Sequence, residues 1–284
     1  MPGFPAEAVL LQKMEYLGYI AAIFIGISLG LIGAGGSILT IPVLVYLIGI
    51  SAVNATSYSL FIVGVSAFIG VLRYVKNGWV CFQTVLVFGI PSVISIFLTR
   101  KFLLHAIPDQ FGHIGSFVIS KNALLMILLA VLMIVAAWSM LRKTPSIRVD
   151  REKANQEYRY FLIFQQGVVI GALVGLVGAG GGFLIIPALV VLAKLPMKKA
   201  IGTSLAIVAL NSTIGFLSDF GVHQFDWRFI FIFTGFAITG IIIGSYLSKY
   251  VSSVKLKPAF GWFVLVMGLY IITKELFFSA AAQG

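Results

Sequence analysis

Two stretches decide the architecture: GISLGLIGAGGSILTIP at Gly26–Pro42 and GALVGLVGAGGGFLIIP at Gly171–Pro187. They align without a gap and share ten of seventeen positions, among them Gly30/Gly175, Gly33/Gly178, Gly35/Gly180, Gly36/Gly181 and Pro42/Pro187. Hydrophobicity does not force glycine and proline identities, so the match marks an internal duplication. The same spacing runs on through Ala55/Ala200, Ser59/Ser204, Leu60/Leu205 and Gly70/Gly215.

The surroundings of both stretches are apolar beyond what water tolerates. Of 284 residues, 60% are hydrophobic and 10% charged, whereas a soluble domain carries roughly 25% charged residues. Uncharged runs such as Leu17–Ile50, Ile50–Leu72, Asn122–Leu141 and Phe229–Leu247 exceed the roughly 20 residues that cross about 30 Å of hydrocarbon. The chain therefore reads as an all-α polytopic membrane protein whose first partner is the lipid bilayer. The formal charge of +11 does not point to nucleic acid. The basic residues sit in short loops between apolar runs, where they fix orientation and meet anionic lipid. The N-terminus has neither the basic start nor the small-residue cleavage site of a signal peptide, so the first apolar segment is expected to stay in the protein.

Apolar runs and charge clusters define eight segments, at 17–50, 52–72, 79–98, 121–141, 161–195, 199–218, 228–248 and 258–277. The layout is an N-terminal segment 1–16, a first transmembrane repeat 17–141, a charged cytoplasmic linker 142–160, a second repeat 161–277 and a tail 278–284. The first segment of each repeat is too long. As one helix, Leu17–Ile50 would measure about 51 Å at about 1.5 Å per residue, and its middle is Gly33-Ala34-Gly35-Gly36, a poor helix interior. We expect a break there, with about 17 residues before it and about 12 after it. A re-entrant helical hairpin fits such short pieces. Eight single crossings would divide Lys and Arg 11 to 9 between the two sides. Hairpins at 17–50 and 161–195 would instead invert the halves and divide them 14 to 6. The second division obeys the positive-inside rule, with the basic linkers in the cytoplasm.

The breaks also carry the chemistry. A broken helix at membrane depth exposes backbone N–H and C=O groups, which is tolerated only inside protein or beside a polar cavity. The helix that restarts near Ser37 or Gly182 offers free N–H groups and the positive end of its dipole. Two such ends converging between repeats suit an anion. The Gly26/Gly30 and Gly171/Gly175 pairs read instead as close packing contacts between helices. In the next segment stand Asn54, Thr56, Ser57, Ser59 and Ser66, and in the second repeat Thr203, Ser204, Asn211 and Ser212. The substrate-binding candidates are thus Gly33, Gly35, Gly36, Ser37, Ser59, Gly178, Gly180, Gly181, Gly182, Thr203, Ser204 and Asn211.

The remaining polar residues narrow the field. Asp219, Asp226 and Glu275 lie near expected segment ends, so a membrane-embedded carboxylate is not expected. That absence suits an anion leaving a negative interior without a coupling ion. Arg73 stands at the end of its segment, where an arginine ordinarily reaches for the interface, though it could also attract an anion at an entrance. Trp79 and Trp227 are expected interface anchors. His105, His113 and His223 match no metal spacing, and a lone Cys81 makes neither a disulfide nor a metal site. No cofactor or metal and no catalytic residue is expected. An intramembrane enzyme would need a histidine or paired carboxylates within an apolar span, which leaves an anion channel as the closer alternative to a carrier.

The repeated G-x-x-x-G-x-x-G-A-G-G-x-x-x-x-x-P pattern, with A-x-G-T-S-L at Ala200–Leu205 and Asn211-Ser212 downstream, resembles the TauE/SafE family of sulfite exporters from about Leu17 to Phe277. The resemblance implies a permease of the bacterial inner membrane that exports sulfite or a related organosulfur anion. The two halves depart from one another at Tyr58/Thr203 and Ser66/Asn211, so the half-sites are expected to be unequal.

Overall fold

The computed structural model describes residues 6–108, 110–114, 117–141, 156–191, 193–221, 225–248, 250 and 253–281. The charged linker expected at 142–160 falls largely outside the described residues. The protein is helical. Its elements are α1 (Ala6–Ile32), α2 (running through Ala34–Leu39, Thr40–Pro42 and Val43–Leu47), α3 (Ala52–Lys76) and α4 (Phe82–Leu98, continued by Thr99–Leu103 and Leu104–Ala106). They continue with α5 (Lys121–Leu141), α6 (Gln156–Val177), α7 (Gly182–Val191), α8 (Met197–Asp219), α9 (Trp227–Leu247) and α10 (Ser253–Ala281). One feature departs from an all-α fold: two short antiparallel strands, β1 (Gln110–Ile114) and β2 (Phe117–Ser120), form a ribbon before α5.

Both expected breaks occur. α1 stops at Ile32 and Gly33 takes φ 79°, ψ −155°, a region essentially restricted to glycine. α6 stops at Val177, and Gly178, Gly180 and Gly181 all have positive φ before α7 begins. The apolar parts are Tyr16–Ile32, Gly36–Leu47 and Phe161–Val177, close to the lengths inferred from the sequence. The first arms, however, extend further toward the N-terminal side, to Ala6 and Gln156. The chain folds back on itself at the first break. A Cβ on Gly36 would overlap Ser28 and Leu29, and one on Gly18, near the start of the apolar part of α1, would overlap Ile48, just beyond α2. The two ends of the segment therefore lie side by side.

The halves intertwine. α1 lies along α9, and its repeat counterpart α6 lies along α4. α3 packs on α8, α5 on α10, and α2 on α7. Gly26 and Gly30 meet Ala237, Ile241 and Gly244 of α9, while Gly171 and Gly175 meet Ser92, Ile96 and Thr99 of α4. Those contacts correspond position for position, because α4 starts at Phe82 as α9 starts at Trp227. A methyl group on any of the four glycines would collide with the facing helix, so they act as packing contacts. Among the described residues, five helical stretches are long and apolar enough to cross a membrane: Ala52–Lys76, Phe82–Leu103, Lys121–Ser139, Met197–Asp219 and Trp227–Leu247. Their outward faces carry exposed large apolar side chains such as Phe68, Leu86, Trp138 and Phe231. Lipid, rather than water, suits so extensive an apolar surface.

Candidate functional site

Each glycine break is held against the central helix of the opposite half. At the first, a Cβ on Gly33 would stand 2.9 Å from Ile201 and 3.2 Å from the Ser204 hydroxyl, both on α8. At the second, one on Gly178 would overlap Thr56 of α3, and one on Gly180 would lie 2.9 Å from the Ser212 hydroxyl and from Val63. Both breaks therefore lie beside hydroxyl-bearing stretches of α3 and α8. α7 restarts at Gly182 behind these glycines, with Leu184 the first residue whose N–H reaches back to the Gly181 carbonyl, at 2.9 Å, followed by Ile185 at 3.0 Å. Gly35, Gly36 and Ser37 lie in the turn that opens α2.

The side chains around the breaks divide into partnered and unpartnered groups. Thr203 is engaged: its hydroxyl accepts from the Cys81 backbone N–H at 2.9 Å, which ties α8 to the start of α4. Ser204 donates to the Ile201 carbonyl at 2.8 Å. Asn211 Nδ2 donates to Ser92 Oγ at 2.8 Å, leaving Oδ1 without a partner. Ser59, Ser66 and Ser212 are fully buried with hydroxyls that have no partner. Buried hydroxyls left unpaired cost about 1–3 kcal/mol each, so such a group in one core asks for a ligand or water.

The structure corrects one expectation. Asp219 ends its helix as expected, yet it is a buried carboxylate, 1% exposed and paired with Arg100, which is 0% exposed. Arg100 Nε donates to Asp219 Oδ1 at 2.9 Å, and Nη2 reaches Oδ2 in the second arm of a fork. Nη1 donates to the Gly175 carbonyl at 3.0 Å, and Nη2 also meets Thr56 and Ser57 at 3.1 Å. Gly175 lies in the last turn of α6, where carbonyls lack intrahelical donors and a cation is favoured. The guanidinium therefore caps the arm that leads into the second break, and Thr56 links it to Gly178. Sequence reasoning missed Arg100 by ending its helix at residue 98. The signal was available: Phe97–Leu104 contains no glycine, proline or asparagine to stop a helix. The helix continues through a π-turn at Thr99–Leu103, which rotates Arg100 inward.

Among the described residues no cluster of His, Cys, Asp and Glu could hold a metal. Trp227 joins Phe61, Phe216, Phe220, Phe225 and Phe231 in an aromatic cluster, and Trp79 stacks near Tyr74 with Lys198 over its ring.

Intertwined repeats, broken helices facing central helices, and an apolar outer surface define a multi-pass membrane protein of the transporter class. The chain belongs to the TauE/SafE family of sulfite exporters, whose model matches residues 18–271. It is similar to a "Probable membrane transporter protein" of Xylella fastidiosa strain Temecula1, at 29% identity over 88% of this chain and 92% of that one. It is also similar to the "Probable membrane transporter protein YunE" of Bacillus subtilis, at 24% identity over 92% of this chain and 100% of the other. A third relative, the "Probable membrane transporter protein MJ0441" of Methanocaldococcus jannaschii, is 29% identical over 74% of this chain and 72% of its own length. No solved structure matches.

Proposed function

We propose that this protein exports a small sulfur-containing anion such as sulfite across the bacterial inner membrane, by alternating access around a site between the two glycine breaks. The carrying observation is the meeting of the second break with unsatisfied donors. Gly180 leaves room for close approach to the Ser212 hydroxyl, which is buried and unpartnered. The first N–H groups of α7, after Gly181 and Gly182, supply further donors. Gly33, Gly35, Gly36, Ser37 and Ser204 form the other half-site, with Gly178, Ser59, Thr203 and Asn211 around them. An anion accepts from the buried Ser59 and Ser212 hydroxyls, which have no partner, and from backbone N–H groups where the helices restart. Turning the Asn211 amide end for end keeps its bond to Ser92, which then donates, and directs an N–H into the site.

The two halves are inverted repeats with re-entrant hairpins at 17–50 and 161–195, and the basic linkers face the cytoplasm, in accord with the charge division. The repeats pivot on each other while the site stays at the midplane. Export is favoured without a coupling ion, since each negative charge leaving gains about 2.3 kcal/mol per 100 mV. Arg100–Asp219 does not alter that sum, because the pair is neutral.

The test is labelled sulfite flux in proteoliposomes under an imposed potential, with sulfate, thiosulfate and sulfoacetate as competitors. Saturable flux driven by voltage alone is expected. If Gly36→Leu and Gly181→Leu each leave that flux unchanged, the site lies elsewhere.

A further inference from the structure

Between α3 and α9 lies a cavity of about 270 Å³ whose walls include Ile69, Leu72, Ile242 and Ser245, with Arg73 and Lys76 at its rim. Its origin lies in the repeat. Ser245 stands at the position that Arg100 holds in the other half, as Gly244 and Ile241 match Thr99 and Ile96. There a guanidinium fills the seam between α4 and α8. Here a hydroxymethyl group does not, and its hydroxyl is turned onto the Ile242 carbonyl at 2.9 Å.

The cations at the rim are uncompensated. The Arg73 guanidinium lies 5.4 Å from the Tyr246 ring centroid, and among the described residues neither Arg73 nor Lys76 pairs with a carboxylate. The walls continue onto the lipid-facing surface, where Leu72 is 50% and Ile242 52% exposed. The polarity is ordered along α3: Lys76 ends the helix, Arg73 comes next, and Ile69 lies deepest. An occupant must therefore be anionic at the helix end and apolar toward the membrane centre, and must enter sideways from the bilayer. A free oxyanion meets only the first requirement.

We propose that this seam binds an anionic phospholipid, its phosphate between Arg73 and Lys76 and an acyl chain along Ile69, Leu72 and Ile242. The helix end concerned is the one the charge division assigns to the cytoplasm, whose leaflet carries anionic lipid.

Native mass spectrometry of the full chain, with phosphatidylglycerol and phosphatidylcholine supplied in equal amounts, tests this. Preferential retention of phosphatidylglycerol is expected. Arg73→Gln and Lys76→Gln should each weaken that retention about fivefold, the effect of one cation near an anionic surface. Lys76 is exposed, so its variant does not depend on refolding of the core. Ser245→Leu keeps both cations but fills the cavity, and should also abolish the preference. Undiminished preference in the Arg73→Gln/Lys76→Gln double variant overturns the proposal. So does displacement of the lipid by millimolar inorganic phosphate or sulfite, which would make the seam a free-anion site. None of these readouts depends on transport.

Discussion

Arg100 Nη1 and the Tyr74 hydroxyl donate to the same carbonyl of the repeat, Gly175 in one half at 3.0 Å and Gly30 in the other at 3.1 Å. Tyr74 stands at the repeat position of Asp219, and Ser245 at that of Arg100. One half thus caps its first arm with a forked ion pair, and the other caps its own with a single neutral hydroxyl. Duplication supplied two equivalent carbonyls that need a donor, and the halves then diverged in how they meet that need.

The ion pair should behave as a coupled unit. Asp219→Asn leaves the Arg100 charge buried without its counter-charge, which is expected to cost about 3–5 kcal/mol. Arg100→Met leaves the carboxylate in the same position. The Arg100→Met/Asp219→Asn double variant should cost clearly less than the two single changes together, since no uncompensated charge is left. Thermal unfolding of the detergent-purified protein measures all four proteins. Additive losses would show that the two side chains act separately.

Tyr74→Phe should be milder. It removes the neutral hydrogen bond to Gly30 and a long one, 3.5 Å, to Ser248, and leaves the ring beside Trp79, for a loss of about 0.5–1.5 kcal/mol. The same unfolding assay should rank it well below Asp219→Asn. A loss as large as that of the ion-pair variant would mean that the Gly30 cap, rather than its charge, determines the stability of these ends.

Glycine substitutions separate backbone strain from close approach. Gly178→Ala meets both: its φ is +73° and the new methyl would overlap Thr56. The expected cost is about 1–2 kcal/mol for the left-handed backbone and about 1–3 kcal/mol for overpacking. Gly49→Ala carries only the first, because φ is +82° but nothing lies within 4 Å. Gly235→Ala, in mid-helix with open space around it, should be neutral or stabilising by up to about 1 kcal/mol. Unfolding midpoints in the order Gly235→Ala, Gly49→Ala, Gly178→Ala, highest first, are the expected outcome.

Much of this was legible in the sequence for a physical reason. Glycine breaks, apolar lengths and repeats are properties of consecutive residues, so Gly33 and Gly178–Gly181 announced the helix breaks, and the segments at 52–72, 199–218 and 228–248 nearly coincide with α3, α8 and α9. Asp219 and Arg100 were not legible, because their meaning lies in a contact between residues far apart in the chain. A charge at a helix end reads as solvated until the π-turn at Thr99–Leu103 rotates it inward. Likewise, Thr203 is a polar residue on the expected face, yet its hydroxyl is spent on the Cys81 N–H, which no spacing rule foretells.

The buried hydroxyls distinguish a ligand site from imperfect packing. Ser59, Ser66 and Ser212 have no hydrogen-bond partner within the protein, so replacing one of them by alanine removes a desolvated polar group and breaks no bond. Stability should then stay level or rise by up to about 1–3 kcal/mol. Ser92→Ala is the contrast, since it strands the Asn211 amide and should destabilise. If Ser212 donates to the anion, Ser212→Ala should weaken sulfite transport even as the unfolding midpoint holds or rises, by about tenfold in apparent affinity for a lost hydrogen bond of about 1.5 kcal/mol to a charged group. Unchanged affinity in Ser212→Ala with a raised midpoint would make the hydroxyl a packing defect and move the site away from Gly180. Opposite movements of affinity and stability in one variant are what a ligand-binding hydroxyl produces and a structural one does not.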